Sequence, residues 1–161
     1  MKPWILYAFI AKGSLRALIT GLLLLSLTSA TAVTHAAEAD TVVLEEKPVR
    51  DARETAGMLA AAQSGLVHWR RAGTWLEEER AQYRVARSQL AAGHAAAAAD
   101  AAQACIDVCT AHDAPAFERF FGYAVLAVAQ RAAGRADAAA QAKAAALADY
   151  ERVPEEERTW C

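Results

Sequence analysis

Strand-forming residues are scarce beyond the first fifty positions of this chain, and the 161 residues hold only 8 Gly and 4 Pro. Roughly a quarter of all residues are Ala, the strongest helix former because it loses no side-chain entropy on folding. That balance excludes a sheet and predicts an all-α chain. No Gly-rich loop is present to cradle phosphate. Ser64 and Ser88 lie in helical pattern without the strand-turn-helix elbow of a nucleophile. The formal net charge of −2 provides no basic footprint for nucleic acid. Arg70 and Arg71 are followed closely by Glu77, Glu78 and Glu79, as on a mixed solvated face. No catalytic residue and no cofactor are expected.

Acidic residues are also missing from the first 37 positions. Lys2, Lys12 and Arg16 are the only charges there, and they precede an apolar run from Ala17 to Leu27. Ala30-Thr31-Ala32 offers a small-residue exit, with Thr34-His35-Ala36 as a weaker second. A positive region, a short apolar core and small residues together form a secretory signal, so residues 1–37 are expected to direct the chain to the periplasm or outside. The alternatives are a retained membrane anchor, and a cytoplasmic chain whose start is misassigned. Contact with a membrane follows only if the segment is retained. Residues 38–48, with Glu45, Glu46, Lys47 and Pro48, read as a linker.

From residue 49 onward the apolar period is helical. A first helix is predicted over 49–71, with Met58, Leu59, Ala62, Leu66 and Trp69 at helical spacing. Gly73 stops it. Thr74 with Glu77 three residues on matches a capping box for a second helix that ends near Ala92. Gly93 suits a left-handed turn. A third helix spans 94–112 and a fourth 115–133, with Asp113 as the cap of the fourth and Pro115 in its first turn. Gly134 repeats the role of Gly93, a fifth helix covers 136–152, and Pro154 opens a short tail.

Two of these hairpins resemble one another. Residues 91–98 align with residues 132–139 at an offset of 134 − 93 = 41, and Val85, Ala86 and Gln89 fall opposite Leu126, Ala127 and Gln130. A helix, Gly turn and helix repeated at this period marks a helical solenoid. On those residues the chain resembles the tetratricopeptide-repeat superfamily. Ala86 and Ala127 stand at its first small position, Gly93 and Gly134 at the turn, Ala98 and Ala139 at the second small position, and Cys105 and Ala146 at the third. The match covers about 79–149 as two repeats. It departs where Gln82, Gln89 and Gln130 replace customary aromatics, and in a period longer than 34 residues. His68-Trp69-Arg70-Arg71-Ala72-Gly73 and Phe117-Glu118-Arg119-Phe120-Phe121 further resemble small bacterial proteins of this kind, which brings no activity. The resemblance implies a stack of antiparallel hairpins over 49–161, about five helices in all.

It also implies a binding groove lined by the first helix of each hairpin. The matching positions are Arg80, Tyr83, Arg87 and Leu90, then Phe121, Ala124, Val128 and Arg131. Arginines that fork onto carboxylates and aromatic anchors would suit an acidic peptide or helix of a partner protein. The expected function is therefore a non-catalytic, exported interaction module. Two other readings compete. Cys105, Cys109 and His112 stand at i, i+4 and i+7, one helix face that would suit copper(I) or zinc. Against a metal, Cys105 holds a small packing position and His112 suits a helix C-terminus. The third reading is a self-associating protein whose short solenoid is completed by a second copy.

Overall fold

The computed structural model describes residues 41–161. The expected signal or anchor at residues 1–37 lies outside the described residues. Among them there are helices and no strand: α1 (Ala52–Ala72), α2 (Trp75–Ala91), α3 (Ala95–Ala111), α4 (Ala116–Ala132), α5 (Ala136–Tyr150) and the single turn α6 (Glu155–Arg158). None of these helices is long and apolar enough to cross a membrane.

Local chemistry sets the starts of the first two helices. At α1, Asp51 accepts from the Glu54 amide at 2.7 Å and the Glu54 carboxylate accepts from the Asp51 amide at 3.1 Å. At α2, Thr74 and Glu77 form the reciprocal pair expected from the sequence. Each such box satisfies two amides that the helix leaves open.

Three later turns share one geometry. Gly93 has φ 79° and Gly134 φ 74°. Behind them the amides of His94 and Arg135 reach back to the carbonyls of Gln89 and Gln130, both at 2.9 Å. This six-to-one closure, with a left-handed residue before it, ends a helix cleanly. Between the two, Ala114 donates to the Cys109 carbonyl at 2.9 Å, and Asp113 takes the left-handed place with φ 49°. Asp113 therefore closes α3 and does not cap α4, whose N-cap is Pro115 with no side-chain hydrogen bond. The expected cap is corrected on this point.

Consecutive helices pack on each other from α1 to α5, and α2 also touches α4. The core is built from small residues: Ala86, Ala98, Ala102 and Ala129 are fully buried, alongside Leu66, Val85, Ile106, Val125 and Leu126. Alanine lets the helix axes approach, while the larger side chains each contribute about 1.5–3 kcal/mol of burial. At Gly122 α4 lies tight against α3, since a Cβ there would lie 3.1 Å from Ile106 Cγ1 and 3.3 Å from Cys105 Sγ.

The stretch read as a linker behaves otherwise. Residues 41–46 are helical and Thr41 is buried. The Glu45 side chain is 2% exposed and accepts from Arg84 Nη1 and Ser88 Oγ, each at 2.7 Å. Arg50 donates to the carbonyls of Leu44 and Lys47 and to that of Ala91 at the end of α2. A guanidinium at two helix C-termini is favourably placed in both dipoles. This segment is fastened to α2 rather than loose.

Candidate functional site

The positions expected to line a groove fall on two neighbouring helices. Arg80 Nη2 on α2 donates to Glu118 Oε1 on α4 at 2.7 Å. One turn on, the Tyr83 ring meets the Phe121 ring edge to face at 6.0 Å. Both pairs join residues 38 positions apart, so α2 and α4 run side by side in the same direction. Phe117, Phe120 and Tyr150 extend the aromatic row, with Phe117 and Phe120 each 5.1 Å from Phe121 and Tyr150 5.8 Å from Phe120. Edge-to-face contacts such as those at Phe121 hold rings in a preferred geometry, and these rings stay half-buried.

Of the anticipated contact residues, Tyr83 and Leu90 are partly buried against the core. Phe121 and Ala124 are half-buried, Val128 is 45% exposed, and Arg131 is exposed. Phe121, Ala124, Val128 and Arg131 recur at three- and four-residue steps and share one face of α4. The arginines divide into two kinds. Arg80 is engaged by Glu118, and Arg87 stacks over the Tyr83 ring at 6.0 Å with Glu45 3.9 Å away. Arg131 has no carboxylate partner among the described residues.

The Cys105/Cys109/His112 face of the competing metal reading does not assemble as one cluster. His112 is the C-cap of α3, where the backbone leaves helical geometry, and its exposed ring stacks on Trp75 at 5.7 Å and 12°. The two cysteines are fully buried and meet Glu79 of α2 instead. Cys105 Sγ donates to Glu79 Oε1 at 3.0 Å, while Glu79 Oε2 is buried with no hydrogen-bond partner. Burial, reinforced by the nearby Glu118 carboxylate, pushes the Glu79 carboxyl up to about 7. A hydrogen bond with Cys109, then burial and Glu79, push the Cys105 thiol up strongly, so in this state it is no ready nucleophile. Cys161, the third thiol, is free and exposed.

Glu79 escaped the sequence reading because it closes the run Glu77-Glu78-Glu79. Glu77 caps the helix and Glu78 pairs at the surface with Arg70 at 3.0 Å, as such a run suggests. Glu79 instead lies three and seven residues before Gln82 and Ala86, on the buried stripe of α2. An acid in phase with the core was the available signal. Comparison with known proteins finds no matching family model, no matching curated protein and no matching solved structure.

Proposed function

We propose that the helical stack is a non-catalytic protein-interaction module that holds an acidic peptide or helix along the α2–α4 face. The observation that carries this reading is the aromatic row Tyr83–Phe121–Phe117/Phe120, which continues along α4 into exposed Val128 and Arg131. Rigid rings offer contact area at little entropic cost. An arginine at the end of such a stripe adds a fork for a carboxylate. Export by residues 1–37 belongs to the same proposal and would place the module outside the cytoplasm.

The test is binding to an array of short acidic-amphipathic peptides by the processed chain and two surface variants. Val128→Asp and Arg131→Glu change exposed residues, so their folds should be unaffected. Selected peptides should lose tenfold or more in affinity with Arg131→Glu, and Val128→Asp should reduce binding of the same set. Equal binding by all three proteins would remove the groove.

A further inference from the structure

The groove proposal leaves the buried junction of α2, α3 and α4 without a role. Its donor set has its own chemistry. Two sulfurs and a carboxylate oxygen, from Cys105, Cys109 and Glu79, lie within 4.8 Å of one another, all buried. Cys105 and Cys109 are one helical turn apart on α3 and present both thiols to α2. We infer that Glu79, Cys105 and Cys109 form a zinc-binding site that clamps α2 to α3.

Three observations bear on this. The first is Glu79 Oε2, a buried oxygen that receives no hydrogen bond from a protein donor, in a carboxyl that has the Glu118 carboxylate beside it. Such atoms are uncommon in folded proteins, and an absent ion is one of the recognised explanations. The second is distance. Tetrahedral zinc with Zn–S near 2.3 Å and Zn–O near 2.0 Å holds its ligand atoms about 3.5–3.8 Å apart. Sγ of Cys105 lies 3.0 Å from Oε1 and all three ligand atoms lie within 4.8 Å of one another, so the ion is admitted when that closest pair parts by about half an ångström. The third is position. Glu79 is in the second turn of α2 and Cys109 in the last turn of α3, at the end of the hairpin where helices open most easily.

The donor types select the metal. Thiolates disfavour calcium and magnesium, while a carboxylate oxygen is a poor ligand for copper(I), leaving zinc as the borderline ion that accepts both. Zinc would displace the Cys105 S–H proton that now bridges to Glu79. The two thiols, and Glu79 when protonated, release two or three protons to solvent as the Zn–S and Zn–O bonds form. Water completes the fourth position.

The test is cobalt(II) titration of the full chain carrying Cys161→Ser, purified in chelator and kept reduced with a phosphine. One equivalent should produce the near-ultraviolet thiolate-to-cobalt charge-transfer band, which zinc then bleaches. Cys109→Ala should abolish the band, His112→Ala should leave it unchanged, and Glu79→Gln should weaken cobalt at least tenfold. Circular dichroism checks each fold. Should Cys105→Ala lose its helical signal, Cys109→Ala and Glu79→Gln carry the comparison. Zinc added to the unsubstituted chain should also release two or three protons per ion. No band with native helicity, or a band that survives in folded Cys109→Ala, overturns the site. Neither result bears on peptide binding by the α2–α4 face.

Discussion

Arg119 of α4 grips both carboxylate oxygens of Asp149 on α5, its Nε lying 3.1 and 3.2 Å from the two oxygens and its Nη2 2.8 Å from Oδ1. The carboxylate is nearly buried, at 6% exposure. It holds the Arg119 guanidinium above its ordinary value, chiefly by hydrogen bonding. The same guanidinium donates to the Ala114 carbonyl, so one side chain ties the α3–α4 connection to the last hairpin. This contact matters because α5 buries little else. Its buried apolar residues are Ala142 and Ala146, and Leu147 is 53% exposed.

Breaking that pair should therefore loosen α5 before the rest of the stack. Asp149→Ala is expected to cost about 2–3 kcal/mol, at or below the usual range for a broken buried pair because Arg119 is a quarter exposed. Leu147→Ala should cost under about 0.5 kcal/mol. Urea unfolding measures both, and hydrogen exchange should show protection lost first in α5. Equal costs at the two positions would show that apolar contact, not the ion pair, retains the helix.

Much of this architecture is written locally. The Thr74–Glu77 box, the turns at Gly93 and Gly134 and the small residues Ala86 and Ala98 each obey a short-range rule, so sequence spacing finds them. Glu45 obeys none. Its partners Arg84 and Ser88 are 39 and 43 residues away, and only the fold brings them together. A polar stretch with Pro48 therefore reads as a linker although its acid is buried. The same holds at the cysteines. Helical spacing places Cys105 and Cys109 on one face, but the third group comes from another helix, and His112 turns away because Trp75 offers its ring a partner.

The buried Glu79 makes stability depend on pH in the direction opposite to an ion-paired carboxylate. Its folded-state value is about 7 against 4.5 for the unfolded chain. Between those values the folded state holds the extra proton, so stability falls as pH rises from about 5 and reaches its floor above about 7. The span corresponds to about 3 kcal/mol as an upper figure. In chelator, Glu79→Gln should flatten this slope and be the more stable protein at pH 8, with the two curves converging or crossing near pH 5. Denaturation midpoints across that range decide it. Parallel curves for the two proteins would mean that Glu79 ionises no differently when buried.

Asp113 is the one described non-glycine residue with positive φ, at the turn where its two counterparts are Gly93 and Gly134. The left-handed conformation brings the Cβ of an L-residue against the following carbonyl, a cost that aspartate reduces but does not abolish. Glycine has no such contact, although it is freer in the unfolded chain. The Asp113 carboxylate also helps hold Arg119 charged, an attraction across solvent that is worth little. The balance favours substitution. Asp113→Gly should raise stability by about 0.5–1 kcal/mol, and Asp113→Ala should lower it by a similar amount, since alanine enters the left-handed region less readily than aspartate. Thermal melts of the three proteins give the order directly. If alanine matched glycine, the turn would have relaxed out of the left-handed region, and the Ala114-to-Cys109 closure of α3 would be lost with it.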